Sequence, residues 1–297
     1  MTEGWDGRGL PPAAAARVQR VTASGVRGSL FSVGELAATE LSGFDPVGEA
    51  MGCIVEHIGF AGYAGCGAWS YGGFGRGTVT SGQRRGWSGY APYVDALYRG
   101  WDTALARMAL ECSALGGDGV VGVRLEQRDL GAGNQEFLAL GSAVRARASR
   151  RPSRPFLTNL SGQDVAKLLS AGWVPAAVVF GIAVAIRHDD YGTRMQSSAW
   201  TANVEVAGYT ELVTHVRADA RHQFGVRAAR AGADAAVVSA MRLHVWEMEP
   251  AENHRDHVAE STVVGTGLAH FRPGQPTPRQ TLTMLPLRPA PARQYRQ

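Results

Sequence analysis

The side chains that could bind a metal ion are concentrated at residues 244–257, in the sequence HVWEMEPAENHRDH. Imidazole and carboxylate groups are common ligands of divalent cations. His254, Asp256 and His257 lie close together in this stretch. These three residues, on a long loop between the last two strands, could therefore bind a divalent cation. The alternative is an acidic loop whose side chains are only solvated.

A second pair of metal-binding side chains, Cys53 and His57, lies on a predicted strand. Side chains four positions apart on a strand point to the same face, so this pair could bind a soft metal ion. The alternative is a core cysteine and a histidine at the rim of the sheet. The chain has three cysteines and no CxxC pair, which argues against a disulfide framework and against a thiolate zinc site.

Two glycine–aspartate turns occur in the sequence, Gly116 with Asp118 and Gly232 with Asp234. An aspartate just after a helix-ending glycine commonly accepts hydrogen bonds from backbone amides, which indicates a structural turn at both sites. The alternative is a catalytic role for Asp118 or Asp234 in a site formed between subunits. Because no GxSxG or HExxH motif is present, no catalytic residue is predicted, and the protein is expected not to be an enzyme.

Arginine accounts for the basic character of the chain, whose formal net charge is +4. Residues 145–154 and residues 272–297 each contain five arginines and no acidic residue. These two segments could bind a polyanion such as RNA through salt-dependent contacts. The alternative is that both are solvated extensions. The Gly-rich loop 59–90 has neither a GxxxxGK[ST] nor a GxGxxG motif, so no phosphate-binding loop is predicted there.

An internal repeat positions these side chains. Residues 31–52 align with residues 160–181, and residues 93–121 align with residues 209–237. A third block, 141–144, aligns with 265–268 in the same order along the chain. Collinear blocks of this kind predict two copies of one structural unit.

Each copy has the pattern of a short helix, a strand, a long helix and two further strands. Ser32 and Ser161 are predicted to cap the short helices, because an acidic residue follows each of them three positions later. The long helices begin near Tyr93 and Tyr209 and carry apolar residues at three- and four-residue spacing, with Trp101 among those expected to be buried. One helix covers only one face of a small sheet, so each copy is expected to need a partner.

The sequence thus predicts an α+β fold of two tandem β-α-β-β modules, each preceded by a short N-terminal helix. The longest apolar run, Val174–Ile186, is too short to span a membrane and is expected to be a buried strand. In chain order, the predicted segments are a flexible N-terminal segment 1–27, module 1 at 28–144, an Arg-rich linker 145–154, module 2 at 155–271 and a disordered Pro/Arg-rich tail 272–297.

The sequence LGGDGVVGVRL at 115–125 and the strand ending ALGSAV at 139–144 resemble the YbjQ-like family. The second copy carries the similar sequences AGADAAVV at 231–238 and VGTGL at 264–268. The family is commonly described as a heavy-metal-binding domain. The resemblance implies a dodecin-like fold and ring-shaped homo-oligomers, typically pentameric. It implies no particular reaction.

We expect a cytoplasmic protein, because the first residues, MTEGWDGRGLPP, lack the apolar stretch of a secretory signal. The favoured interpretation is a non-enzymatic oligomeric protein that acts by binding or scaffolding, with any ligand at the interface between modules. The first alternative is a heavy-metal-binding or metal-sequestering protein that uses the His/Asp/Glu loop of module 2. The second is an enzyme whose site forms between subunits. Beyond a divalent or soft metal ion, the sequence indicates no cofactor.

Overall fold

The computed structural model describes residues 5, 9–25, 27–58, 79–81, 90–149, 151–198, 200, 202–251 and 254–271. Within these residues the fold is α+β, with six helices and two sheets. The helices are α1 (Pro12–Ser24), α2 (Val33–Leu41), α3 (Ala91–Ala114), α4 (Gly162–Ser170), α5 (Tyr191–Gln196) and α6 (Ala207–Arg230). The strands are β1 (Phe44–His57), β2 (Val79–Ser81), β3 (Gly119–Gly131), β4 (Asn134–Ala146), β5 (Phe156–Leu157), β6 (Trp173–His188), β7 (Ala235–Ala251) and β8 (His254–His270).

The short helices α2 and α4 begin at the predicted serines. Ser32 forms a capping box with Glu35, because each side chain accepts a hydrogen bond from the backbone amide of the other residue. The side chain of Ser161 accepts a hydrogen bond from the backbone amide of Asp164. Both capping predictions are therefore confirmed, and each cap satisfies an amide that the first helical turn leaves without a partner.

The first sheet has the strand order β1-β4-β3-β5. Its first three strands are antiparallel, and the two-residue strand β5 pairs with β3 in a parallel orientation. The second sheet has the order β2-β6-β8-β7 and is antiparallel throughout. In both halves the order along the chain is a short helix, a strand, a long helix and a two-stranded hairpin.

Each long helix crosses the first long strand of its own half at a glycine. A β-carbon added to Gly52 would lie 1.8 Å from the carbonyl oxygen of Ala104 in α3. A β-carbon added to Gly181 would lie 2.1 Å from the carbonyl oxygen of Ala220 in α6. Only glycine permits this close approach of helix and strand backbones, so both positions fix how the helix lies on its sheet.

Helix α3 packs between the two sheets. Trp101 is 4% exposed and its ring meets Phe137 of the first sheet edge to face, at a centroid distance of 5.2 Å. On the other side, Tyr98 stacks on Phe180 of β6 at 5.6 Å, and its hydroxyl accepts a 2.8 Å hydrogen bond from the amide of Ile182. The second half therefore covers the side of α3 that the first sheet leaves open.

Some elements differ from the sequence expectations. The long loop expected around His254, Asp256 and His257 is instead part of a long hairpin, because β7 continues to Ala251 and β8 begins at His254. Within segment 1–27, for which a flexible chain was expected, α1 forms and its Arg17 pairs with the buried Glu111 of α3. Most of the Gly-rich loop 59–90 and the whole tail 272–297 lie outside the described residues. None of the described helices has both the length and the apolar character that crossing a bilayer requires.

Candidate functional site

A cavity of about 900 Å³ lies between the two halves of the chain. One wall is formed by β3 of the first sheet together with Tyr93 and Trp101 of α3. The opposite wall is formed by β7 and β8 of the second sheet. Both halves are needed to enclose this space, and its volume falls in the range of small-molecule sites. We therefore take it as the candidate site.

Glu260 of β8 links the two walls. The Tyr93 hydroxyl donates a 2.6 Å hydrogen bond to Oε2 of Glu260. Burial raises the pKa of Glu260, because a carboxylate removed from water loses its hydration. The hydrogen bond from Tyr93 and the nearby imidazole of His244 act in the opposite direction and lower that pKa. The cavity wall thus contains a carboxyl group that holds its proton more tightly than an exposed glutamate does.

Flat aromatic groups occupy both walls of the cavity. Trp101 lies on the α3 side, while His244 and Trp246 lie two positions apart on β7 and share one face of that strand. The rings of His244 and Trp246 are stacked, with centroids 5.2 Å apart and planes inclined by 28°. Such surfaces bury a planar apolar group effectively, because large rigid rings contribute contact area at little cost in conformational entropy.

The cavity lining contains two arginines, Arg124 on β3 and Arg242 on β7, together with the acidic residues Glu126, Asp129 and Glu260. In the part of the chain that the structure describes, the ion pairs near this site use other arginines, such as Arg128 with Glu126 at 2.7 Å and Arg255 with Glu247 at 3.7 Å. Both cavity arginines are exposed to solvent. A planar guanidinium without a carboxylate partner is suited to bind an anionic group of a ligand.

The predicted metal ligands on β8 point in two directions. Asp256 and His257 are neighbours on the strand, so their side chains project to opposite faces. Asp256 lies 2.6 Å from Nδ1 of His188 on β6. Among the described residues, no group of three or more His, Cys, Asp or Glu side chains could hold a metal ion. The site at His254, Asp256 and His257 therefore stays a prediction.

His257 is bound on both sides of its ring. Its Nδ1 lies 3.0 Å from Oδ1 of Asp189, and its Nε2 lies 3.0 Å from Oε1 of Glu247. The ring also packs against Tyr209, with centroids 4.2 Å apart. Since both ring nitrogens are used, coordination of a metal by His257 would require the loss of one of these contacts. The arrangement joins β6, β7 and β8 to α6.

Cys53 and His57 lie on the same strand, but they have separate partners. The thiol of Cys53 donates to Oε1 of Glu136 at 3.3 Å, and Nδ1 of His57 lies 3.1 Å from Oδ1 of Asn134. Burial raises the pKa of Cys53, and the hydrogen bond to Glu136 raises it further. Because the thiolate is the form that binds metals, this environment disfavours coordination by Cys53.

The two glycine–aspartate turns join each long helix to the end of the last strand of its half. Gly116 and Gly232 have φ angles of +76° and +74°, which favour glycine. Oδ2 of Asp118 accepts a 2.8 Å hydrogen bond from the amide of Ala146, at the end of β4. Asp234 makes the corresponding 2.9 Å bond to the amide that ends β8. Both aspartates bind backbone amides of a distant strand and not of the turn itself.

Part of the Arg-rich linker is held by acidic residues of the first half. Arg147 pairs with Asp45 at 2.6 Å, and Arg151 pairs with Asp118 at 3.0 Å. The bond from Arg147 lowers the pKa of Asp45. These pairs reduce the charge that the linker offers to a polyanion, and the predicted contact with a polyanion stays a prediction.

Sequence reasoning missed most polar residues of the cavity, among them Glu260, Arg124 and Arg242. The sequence does single out Glu260, because it is the only acidic residue in VAESTVVGTG, a stretch of apolar and small residues. A single charge inside such a strand indicates a buried partner or a site. The partner itself gave no signal, since Tyr93 lies 167 residues away.

Comparison with known proteins identifies one stretch of the chain. Residues 84–147 match the YbjQ family model, described as "Putative heavy-metal-binding". This stretch contains α3, β3 and β4. The resemblance predicted from the sequence is therefore confirmed for residues 84–147, while the remainder of module 1 and the second copy stay predictions.

Two relatives cover parts of the chain. An encapsulin nanocompartment protein of Mycobacterium tuberculosis is 36% identical over 179 residues, which are 58% of this chain and 60% of that protein. A UPF0145 protein of Natronomonas pharaonis is 42% identical over 55 residues, which are 18% of this chain and 53% of that protein. The chain thus spans less than two thirds of the length of each relative. No solved structure matches it.

Proposed function

We propose that this protein is a non-enzymatic, oligomeric binding protein whose ligand lies in the cavity between its two halves. The observation that carries this proposal is the hydrogen bond from Tyr93 to Glu260. This bond ties α3 of the first half to β8 of the second half at the wall of the cavity. A fixed cavity that two halves form together is typical of a binding site.

The chemistry of the lining favours a planar apolar ligand with an anionic substituent. His244 and Trp246 supply accessible flat surfaces, because Trp101 is buried against Phe137. Arg124 and Arg242 supply positive charge, while the nearby carboxylate of Glu126 pairs with Arg128. A ligand of this class would stack on the rings of β7 and pair with the guanidinium groups.

This ligand class can be tested with 1-anilinonaphthalene-8-sulfonate, a planar aromatic anion whose fluorescence rises on binding. The double variant Arg124→Gln/Arg242→Gln should bind the probe about tenfold more weakly, because two charge-assisted contacts are lost. Arg221→Gln is the matched control, since Arg221 is an exposed arginine on α6 outside the cavity. Equal dissociation constants for the double variant and the wild type would contradict the proposed ligand class.

We further propose that each half is a dodecin-like β-α-β-β module of one duplicated unit, at 28–144 and 155–271, and that the chain assembles into a ring. The support is the equal order of elements in both halves and the glycine contacts at Gly52 and Gly181. Native mass spectrometry of the full chain tests this proposal, because it reports the number of subunits and any small molecule that co-purifies. A monomer at every concentration would contradict the oligomer.

The relative from Mycobacterium tuberculosis supports a second candidate function, as a component of an encapsulin compartment. Co-expression with an encapsulin shell, followed by sedimentation of the assembled particles, tests this role. The protein is expected in the particle fraction, and an unrelated protein of similar size serves as the control. Its recovery only in the supernatant would exclude this candidate while leaving the cavity proposal standing.

The description of the YbjQ family model favours the metal alternative. That alternative requires stoichiometric metal in the purified protein, lost in His254→Ala/His257→Ala. Both ring nitrogens of His257 already have partners, and the raised pKa of Cys53 favours its protonated thiol. These observations support the opposite expectation, that the purified protein contains no stoichiometric metal. Elemental analysis of wild type and variant after incubation with zinc, copper or nickel decides between the two.

A further inference from the structure

Each half begins with a short segment just before its first helix. We call residues 27–31 the first strap and residues 156–160 the second strap. The alignment of 31–52 with 160–181, continued four residues upstream, places the two straps at corresponding positions. The second strap contains β5 and the residues that lead to α4.

The two straps contact their own sheets in the same way. The amide of Leu30 in the first strap donates a 2.8 Å hydrogen bond to Oγ of Ser142 on β4. The amide of Asn159 in the second strap donates a 3.2 Å hydrogen bond to Oγ1 of Thr266 on β8. Ser142 and Thr266 are themselves aligned, within the blocks 141–144 and 265–268. The hydrogen bond of Leu30 therefore fixes the first strap on its own sheet at the position where the second strap is fixed on its sheet.

The second strap also completes the edge of the first sheet. Two of its amides donate to carbonyl groups of β3 and the turn before it, and two amides of β3 donate back, with distances of 2.9–3.1 Å. Leu157 packs against the core of the first half, and Leu160 packs in the cluster around Val121. Under this cover Val121 is only 2% exposed.

Within the described residues no strand pairs with the corresponding edge in the second half, where Nδ2 of Asn159 donates a 2.7 Å hydrogen bond to Oγ of Ser239. Strand β7 is the last strand of the second sheet. Val237, which corresponds to Val121, is 40% exposed, and the next residue, Val238, is exposed as well. An edge with free backbone groups and apolar side chains is a template for another strand.

We propose that the first strap of a second copy adds to the edge of β7 as a parallel strand. By correspondence with the second strap, the amide of Ser29 would donate to the carbonyl group of Ala236, and the amide of Ser239 would donate to the carbonyl group of Ser29. This inference rests on the oligomeric part of the proposed function and names the interface that builds the oligomer.

Helix α2 supports this interface, because it follows the first strap as α4 follows the second. Val33, at the start of α2, is 86% exposed. Its counterpart in α4, Gly162, is buried against α2, where an added β-carbon would lie 2.5 Å from Oγ1 of Thr39. The contact between α2 and α4 within one chain would thus recur between α4 of one copy and α2 of the next. It would cover the exposed end of α2.

The interface joins unlike surfaces. Each chain has one donor, the first strap, and one acceptor, the edge of β7. Contacts between different surfaces of identical chains propagate head to tail, and they close into a ring when the rotation between copies permits. The chain-internal contact between the second strap and β3 would then be the first of a series of equivalent contacts.

A lysine at the acceptor edge tests the proposal. Val237→Lys should leave the single chain folded, because the side chain is already partly exposed, but it would place a charge where the strap must pack. Val245→Lys is the matched control on the same strand, since its counterpart in the first half, Asp129, is exposed beyond the second strap. Light scattering after size exclusion should show monomers for Val237→Lys, and oligomers for the control and the wild type.

A disulfide provides a second measurement. Phe156 pairs with Gly119 in the first half, and the corresponding pair between copies is Arg27 with Ala235. Paired residues on neighbouring strands lie within the Cα separation that a disulfide spans. The double variant Arg27→Cys/Ala235→Cys should give covalent multimers on a non-reducing gel, and neither single variant should.

The outcomes separate this proposal from the oligomer itself. A wild-type protein that is monomeric at every concentration overturns both. An oligomer that persists in Val237→Lys, without covalent multimers in the double variant, overturns the strap interface and leaves the oligomer standing. A disulfide that forms only within single chains also overturns the second copy as the occupant of the β7 edge.

Discussion

The two long helices have the same length but differ in how much of their surface is buried. Helices α3 and α6 each span 24 residues, and they hold corresponding places in their halves. Six residues of α6 are buried, all at a regular spacing of four from Gly208 to Ala228. Ten residues of α3 are buried, and they extend around the helix to a second face. Helix α3 therefore packs between two sheets, whereas α6 packs on one sheet.

The side chains explain the difference. Tyr98 and Trp101 of α3 are aromatic, and they reach the second and the first sheet respectively. The aligned positions in α6 are Thr214 and Arg217, which are exposed. Burying large rings on both sides of α3 is what holds the halves together, and it leaves the outer side of α6 polar.

The largest expected effect comes from removing the aromatic ring at the centre of this contrast. Trp101→Ala should lower the free energy of unfolding by about 3–5 kcal/mol, because it opens a cavity in a close-packed region. Arg217→Ala, the matched change in α6, should alter it by about 0.5 kcal/mol or less. Urea denaturation followed by circular dichroism measures both. Equal losses would mean that α6 is covered as fully as α3.

The glycine–aspartate turns give a smaller contrast. Asp118 is buried and bonds both the amide of Ala146 and Arg151, whereas Asp234 is exposed and bonds a single amide. Asp118→Ala should cost about 1–3 kcal/mol, because it leaves a buried amide without a partner. Asp234→Ala should cost about 1 kcal/mol or less, because water can replace the lost acceptor.

The same denaturation experiment measures both aspartate variants. A cost for Asp234→Ala as large as that for Asp118→Ala would show that the second turn is also buried in the assembled protein. If neither variant folds, both aspartates are required for the structure. Asp118→Asn would then show whether the hydrogen bond to the amide of Ala146 is enough, because asparagine keeps an acceptor oxygen but has no charge.

Local chemistry made part of this fold predictable. The caps of α2 and α4 follow from a serine and an acid three residues apart, a signal that depends on one helical turn. The long helices follow from apolar spacing within a single element. The continuation of the β7–β8 hairpin through residues 247–260 was not predicted. Polar residues in this stretch are typical of a loop, and only the pairing of β8 with β6 and β7 accounts for the strands.

The sequence predicted the location of the candidate site, at the interface between the two halves, but not the residues that form it. The need of each half for a partner follows from one helix on one sheet, and it pointed to the interface between halves. The contact of Tyr93 with Glu260 joins positions 167 residues apart, and no local pattern encodes it. The strap pairing of β5 with β3 involves only two residue pairs, too few for a strand pattern.

The smallest expected effect concerns pH and compares two aligned glutamates. Glu260 has its pKa raised by burial above the ordinary 4.5, while its counterpart Glu136 lies at the thiol of Cys53. The folded chain keeps the proton of Glu260 at a pH where the unfolded chain has lost it. The stabilisation is therefore complete below the ordinary pKa and is lost as the pH rises through the raised value.

Glu260→Gln removes this titration, and the neutral amide can still accept the hydrogen bond from Tyr93. The free energy of unfolding of this variant should fall less than that of the wild type as the pH rises from 4.5 towards neutrality. Glu136→Gln, the same change at the aligned position of the first half, is the matched control. Urea denaturation at a series of pH values measures the slopes. An unchanged slope in Glu260→Gln would mean that Glu260 is ionised in the folded chain and that the wall of the cavity is open to water.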